Sequence, residues 1–250
     1  MKISIITATF NSAEKIDLCL NSIVSQTYTN FEHIIIDGNS NDNTIEKIKN
    51  YPYKPFKIIS EEDNGIYEAL NKGIKYANGE IIGFLHSDDF FANNEVLQNI
   101  AETFKNNKNI DAVYGDLEYI SQKNISKTIR KWKSSPFKLN LLKNGWMPPH
   151  PSLYVKKKII NSLGGFDTSF KISGDYMFIL KIFSQANFNS KYVPKVFIKM
   201  RTGGLSNKSF TKIILKSKED WIALRKNQFG FLNSFKVLLF KNISKLAQFF

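Results

Sequence analysis

Ile81-Ile82-Gly83-Phe84-Leu85-His86-Ser87-Asp88-Asp89 decides how the chain is read. Residues 81–85 form an apolar run of strand length, as in a strand buried within a sheet. Two adjacent carboxylates follow almost at once. At the mouth of a buried strand such acids repel one another, and each needs water or a counter-ion. A hard divalent cation, itself neutralised by phosphate, is the least costly remedy. The step therefore points to a metal–diphosphate site at a strand end.

Working outward, strands and helices alternate. Residues 2–9 are a β-branched run, and Asn11 or Ser12 can cap a helix carrying Ile16, Cys19, Leu20, Ile23 and Val24 at helical spacing. Phe31–Asp37 reads as the next strand, 44–51 as a short helix and Lys57–Ser60 as a third strand. Ile66, Leu70, Ile74 and Ala77 mark a helix ended by Asn78-Gly79, and Val96, Leu97, Ile100, Ala101 and Phe104 mark another before a strand opening at Ala112. This repetition predicts an α/β fold, a Rossmann-like, mostly parallel sheet flanked by helices. Ligands of such sheets sit beyond the carboxyl ends of the strands. Three of those ends are polar (Thr7-Ala8-Thr9, Asp37-Gly38 and Ser87-Asp88-Asp89), and they converge on one rim.

Beyond Asp116 the pattern loosens. Residues 118–132 read as a hairpin or an irregular excursion, and Pro148-Pro149-His150-Pro151 as a rigid turn. Helices are expected over 156–163 and 175–185, strands over 189–193 and 196–200, and helices over 211–227 and 231–249. The expected organisation is a domain over 1–205, divided at 116/117 into a nucleotide-binding and an acceptor half, then a helical extension over 206–250.

The 250 residues include 35 basic and 22 acidic side chains, a formal charge of +13 that favours anionic partners. A nucleic-acid-binding protein fits that charge, but no zinc-ligand set or RNA-binding signature accompanies it, and acids occupy the expected pocket. The single cysteine, Cys19, excludes an internal disulfide and suits a reducing compartment, the cytoplasm. No cleavable leader is read at Met1-Lys2-Ile3-Ser4, and no run reaches the ~18 apolar residues of a membrane span. Neither G-x-G-x-x-G nor G-x-x-x-x-G-K-[ST] occurs, so a diphosphate must be handled by metal and side chains rather than by a glycine nest. A sugar-phosphate nucleotidyltransferase shares the alternating fold, but would want a Gly-rich basic loop after the first strand, and Ala8-Thr9-Phe10-Asn11-Ser12 is not one.

Four stretches together resemble a family 2 glycosyltransferase of GT-A fold. They are Ile6-Thr7-Ala8-Thr9-Phe10-Asn11; Asp37-Gly38-Asn39-Ser40-Asn41-Asp42-Asn43-Thr44; Asp63-Asn64-Gly65-Ile66-Tyr67-Glu68-Ala69-Leu70-Asn71-Lys72-Gly73; and His86-Ser87-Asp88-Asp89. The third, with Gly203-Gly204-Leu205-Ser206, is similar to the branch that builds bacterial surface polysaccharides. The resemblance implies a nucleotide-sugar donor, commonly a UDP-sugar, and a saccharide or lipid-linked acceptor. It implies Thr7 and Thr9 lining the nucleotide pocket, Asp37 on the base, Ser87 and Asp88 at the donor, and Asp89 ligating Mn2+ or Mg2+. His86 stands where many relatives carry a third acid. Asp63 either caps its helix or holds the donor, and Lys72 either neutralises a phosphate or is merely solvated.

Asp175 opens a helix, where an aspartate serves as cap and dipole partner. The resemblance gives it the place of the catalytic base, often written Glu-Asp, with Gly174 replacing the first acid. His150 is either structural or near the acceptor or diphosphate. Arg201 with the glycines after it either forms a flap over the diphosphate or ends an ordinary turn. Trp132 and Trp146 stack on sugar or pack in the core. On the last helix, Leu232, Phe235, Leu239, Ile243, Leu246 and Phe250 form an apolar stripe, with Ser234, Lys241, Lys245 and Gln248 largely opposite. Such a helix contacts the inner face of a membrane or packs on protein. The chain is thus expected to be an inverting, metal-dependent glycosyltransferase of hexosyltransferase type.

Overall fold

A computed structural model describes residues 1–203 and 210–246. In chain order the elements are β1 (Ile3–Thr9), α1 (Ile16–Val24), β2 (Phe31–Asp37), α2 (Thr44–Asn50), β3 (Lys57–Ser60), α3 (Ile66–Tyr76), β4 (Ile81–Phe84), β5 (Asp89–Phe91) and α4 (Val96–Asn106). There follow β6 (Ala112–Ile120), β7 (Thr128–Trp132), α5 (Leu139–Leu142), β8 (Leu153–Lys156), α6 (Lys157–Leu163), α7 (Gly174–Phe183), β9 (Ser190–Arg201), α8 (Phe210–Lys226) and α9 (Phe231–Leu246).

The strands form one curled sheet in the order β3-β2-β1-β4-β8-β6-β9-β5, with β7 paired to β6. The first four strands are mutually parallel, β6 and β9 run the same way, and β8, β7 and β5 run against them. Side-chain alternation along β1 divides the core. Ile3 and Ile5 join α1, α2 and α4 on one face, through Cys19, Ile48 and Leu97 among others. Ile6 and Ala8 join α3, α6, α7, α8 and α9 on the other, through Leu70, Ile160, Phe178, Leu224 and Val237. The helical extension is therefore part of the second core layer. Its expected boundary at 205/206, the Gly204-Leu205-Ser206 part of the flap, and Gln248 and Phe250 lie outside the described residues.

Three expectations are corrected. The strands expected over 189–193 and 196–200 are one strand, β9, whose register against β6 shifts between Tyr114 and Leu117. Pro194, which has no N–H to give the ladder, lies opposite that shift. Strand β8 fills residues left without an element between the rigid turn and the expected helix and takes that helix's first residue, Lys156; four residues are too few to show a period. Asp89, expected at the mouth of β4, opens a further strand, β5, paired with Met200 of β9.

Candidate active site

The register sets Thr9 beside Asp37, and Ile6 beside Phe84, so the polar ends of β1, β2 and β4 share one rim. Thr9 is buried there with no partner for its hydroxyl among the described residues. Asp37 is also buried, but its oxygens are engaged locally: Oδ1 accepts from Ser40 Oγ at 2.5 Å, and Oδ2 from Ser40 N at 2.9 Å and Ser60 Oγ at 2.7 Å. The half-exposed Asp63 is the more available acid. Its Oδ1 accepts from Gly65 N at 2.9 Å, the local turn role, while Oδ2 faces Gly38. A Cβ on Gly38 would come within 2.9 Å of that oxygen and 3.5 Å of the Phe10 ring. Phe10 is 60% exposed, a flat apolar face at the strand mouth that sequence reasoning passes over. Its position directly after Thr9 was the available signal.

The acidic step is desolvated on one side. Asp89 is 1% exposed, and no side chain among the described residues donates a hydrogen bond to its carboxylate, whose one polar support is the Arg201 backbone N–H. Burial, then the charge of Asp88, push its carboxyl well above the usual range, with Arg201 opposing. Asp88 itself is half-buried. Arg201 ends β9 one residue beyond Met200, the partner of Asp89, and its charge acts on that carboxyl. The described residues contain no cluster of three or more His, Cys, Asp or Glu able to enclose a metal. A hard cation at Asp89 would complete its shell with diphosphate oxygens and water, as Mg2+ commonly does. The orphaned buried carboxylate fits that demand.

Asp175 lies on the first turn of α7, where the helix dipole favours an anion. His150, in a 3-10 turn over His150–Ser152, brings Nδ1 to 3.0 Å from Asp175 Oδ2. Burial pushes the Asp175 carboxyl up. The charge and contact of His150, with the charges of Lys241 and Lys216, outweigh burial and hold it well below the usual carboxylate range. The His86 ring centroid lies 6.2 Å from that of His150. Burial, then the His150 charge, lower the His86 imidazole to about 4, against the pull of Asp88 and Asp175. The two histidines thus lie between the acidic step and Asp175. Tyr119, under Arg130 at 3.8 Å, feels both Asp89 and Asp175 and belongs to the same floor.

The loop before Asp175 is held from two directions. From α3, Asn71 exchanges hydrogen bonds with the Phe166 backbone, both at 2.9 Å, and Tyr67 Oη donates to the Ile172 carbonyl at 2.7 Å. A Cβ on Gly174 would strike the Tyr67 ring at 2.6 Å, which explains the glycine where the resemblance leads one to look for an acid. From α8, buried Glu219 accepts from the N–H groups of Lys171, Ile172 and Ser173 at 2.9, 2.8 and 2.8 Å. These supports are long-range contacts, and no local pattern announces them.

Other expected side chains are engaged by protein neighbours. Thr7 is fully buried, with Oγ1 2.9 Å from His33 Nε2. Lys72 is engaged by Glu61 at 3.0 Å, Glu68 at 3.2 Å and the Glu62 carbonyl at 2.9 Å. Ser87 Oγ lies 2.9 Å from Ser12 Oγ and pins the first loop to the acidic step. Trp146 packs among Tyr114, Phe137 and Phe183, and Trp132 is half-buried against the core.

The architecture is that of the GT-A glycosyltransferases. The Staphylococcus aureus TarS 1–349 structure with UDP-GlcNAc superposes with a TM-score of 0.73 at 19% identity, covering 99% of this chain and 73% of that one. The Pyrobaculum calidifontis mannosyltransferase PcManGT, solved with GDP-Man and Mn2+, gives 0.66 at 20% identity, covering 98% and 70%. The chain belongs to glycosyl transferase family 2, whose family model matches residues 4–178. A Mycobacterium bovis PGL/p-HBAD biosynthesis glycosyltransferase is 29% identical over 217 residues, 85% of this chain and 82% of that protein. The Escherichia coli UDP-Glc:alpha-D-GlcNAc-diphosphoundecaprenol beta-1,3-glucosyltransferase WfgD is 35% identical over 124 residues, 49% of this chain and 48% of its own length. The chain is thus a transferase enzyme, and the nucleotidyltransferase and nucleic-acid readings fall away.

Proposed function

We propose that this enzyme moves a sugar from a nucleoside diphosphate sugar, UDP-linked by preference, to a hydroxyl of a lipid-linked saccharide in surface polysaccharide or glycolipid synthesis. The observation that carries the reading is the contrast between two acids of one rim. Asp89 is buried with no side-chain donor to its carboxylate among the described residues, whereas Asp175 is held ionised. Environments that push two carboxyls apart assign them different tasks. Thr9, Phe10 and Asp63 receive the nucleoside, with Phe10 as a stacking face and Asp63 as an acceptor for base or ribose N–H and O–H groups. Asp88 and Asp89 would hold Mg2+ or Mn2+, which supplies positive charge to the departing diphosphate.

Asp175 takes the proton from the acceptor hydroxyl as that oxygen bonds to the anomeric carbon and the bond from that carbon to the diphosphate oxygen breaks. His150 orients the Asp175 carboxylate, and Arg201 stands ready for the negative charge that appears on the leaving group. One displacement inverts the anomeric centre. UDP-Glc and GDP-Man appear in the names of two similar proteins, and UDP-GlcNAc in a third, which supports the donor class and orders the candidates. The test is a transfer assay over UDP-, GDP- and dTDP-sugars with Mn2+, Mg2+ or EDTA, reading nucleoside diphosphate release and product anomeric configuration. Cation-dependent transfer with inversion is expected. Full activity in EDTA removes the metal role, and retained configuration removes the single displacement.

A further inference from the structure

Helix α9 turns its polar side inward. Ser234, Val237 and Lys241 are 0, 0 and 5% exposed, whereas Phe231, Leu232, Phe235 and Leu239 are 66, 82, 65 and 52% exposed. A helix on a water-facing domain does the reverse. The orientation is fixed by a charged pair as well as by the packing of Val237 in the core. Lys241 Nζ lies 2.8 Å from Asp220 Oδ2 of α8 and 3.2 Å from the Tyr176 ring centroid, and the lysine and aspartate are both buried. Turning the helix over would strip a charged pair of its partners, so the apolar stripe is committed to the outside. Four large side chains at i, i+1, i+4 and i+8 make a continuous ridge, a feature that marks a binding surface.

Charge selects the occupant. The acids of α8 and α9 are Glu219 and Asp220, both buried, while the exposed charged side chains described on these helices are Lys218, Arg225, Lys226 and Lys236. Lys236 adjoins the ridge, with its ammonium 5.6 Å from the Phe240 ring centroid. A second copy of the chain would bring like charges together. An anionic phospholipid surface satisfies both features, with headgroups for the lysines and the acyl boundary for the ridge. No described helix is long and apolar enough to cross a membrane, so the contact is one of lying on the surface.

We propose that α9 docks the enzyme on anionic lipid, inserting Phe231, Leu232, Phe235 and Leu239 at the headgroup–acyl boundary with Lys236 on the phosphates. The inward face of the same helix, at Lys241, touches Tyr176, the neighbour of Asp175. The lipid surface then lies roughly one helix diameter, ~10 Å, beyond that contact. Insofar as this brings the base to a lipid-linked saccharide, it rests on the proposed acceptor; the docking itself does not.

The full chain is sedimented with vesicles of phosphatidylcholine alone and of equal parts phosphatidylcholine and phosphatidylglycerol, at low and high salt. Binding is expected to the mixed vesicles and to weaken with salt. The Leu232→Ser/Phe235→Ser variant is expected to bind at least about tenfold more weakly, and Lys236→Ala roughly fivefold more weakly. Both are expected to keep the wild-type melting temperature and UDP–Mn2+ affinity. Wild-type protein left in the supernatant with mixed vesicles overturns the proposal, as does binding indifferent to both variants. A dimer that dissociates in the serine variant, without vesicle binding, would instead make the ridge a self-interface. Failed docking would leave transfer to a soluble acceptor intact, while failed transfer would leave vesicle binding untouched, so the two readings fall separately.

Discussion

Replacing Asp89 by asparagine should stabilise the protein while abolishing its activity. The carboxylate is 1% exposed, has Asp88 as its neighbour and no side-chain hydrogen-bond donor among the described residues, and only the backbone and charge of Arg201 favour its ionised form. An unpaired buried ion costs several kcal/mol after relaxation, and an unpaired amide of the same shape about 1–3 kcal/mol. Arg201 offsets part of the cost, leaving a gain of about 2 kcal/mol for Asp89→Asn in chelator at neutral pH. For a chain of this size that is about 4–8 °C in melting temperature. Donor with Mn2+ should reverse the order. At a hundredfold excess over its dissociation constant, a ligand stabilises the wild type by ~2.7 kcal/mol and a variant that has lost the site not at all. The assay is thermal and urea unfolding of both proteins in EDTA, and again with Mn2+ and UDP. Crossing stability orders are expected. A folded variant that melts below the wild type in EDTA would show that the carboxylate has a structural partner, and the argument from desolvation would be lost.

Asp175→Asn should reduce transfer by several orders of magnitude while leaving donor affinity, measured by calorimetry, within about twofold, because only the acceptor proton loses its destination. Normal turnover would reject the base assignment. Glu219→Gln should lower kcat about tenfold or more with donor KM unchanged, since one of its two accepting oxygens becomes a donor facing backbone N–H groups. Equal changes in both constants would speak for general loosening instead. His33 is fully buried, and burial lowers its imidazole to about 3. The unfolded chain, at about 6.5, therefore takes up the proton first, so this contribution is complete above pH ~6.5 and shrinks as pH falls toward 3. The loss is about 2 kcal/mol between pH 6.5 and 5. Urea unfolding at both pH values should show it in the wild type and not in His33→Gln; equal losses in the two proteins would refute it.

The parallel half of the sheet was legible because its information is local. Strands such as Phe31–Asp37 carry their own apolar pattern, and helices such as Ile66–Tyr76 their own period and stop signal. The acidic step was legible for the same reason: two charges after a buried run are improbable without a task. What stayed hidden depends on contacts between distant segments. Strands β5 and β8 are three and four residues long and exist through their neighbours. Thr7 and Lys72 have the side chains that a donor pocket wants, but one reaches His33 across β1 and β2 and the other is held by glutamates near its own helix. The stripe on α9 was visible as a period, while the direction it faces is set by Lys241 meeting Asp220 and Val237 entering the core.

Under the proposed base role, the loop before Asp175 ties the helices after residue 178, where the family match ends, to the candidate site. Asp175 is held well below the usual carboxylate range because His150, Lys241 and Lys216 outweigh its burial, and the two lysines come from α9 and α8. The backbone that aims it is fixed by Tyr67 and Asn71 on one side and by Glu219, again from α8, on the other. A base whose charge and position both depend on the last two helices is coupled to whatever those helices touch. Hence the outward ridge and the inward Lys241 are two faces of one device. The orientation that exposes Leu232 and Phe235 is the one that carries a cation toward Asp175, and neither can be kept without the other.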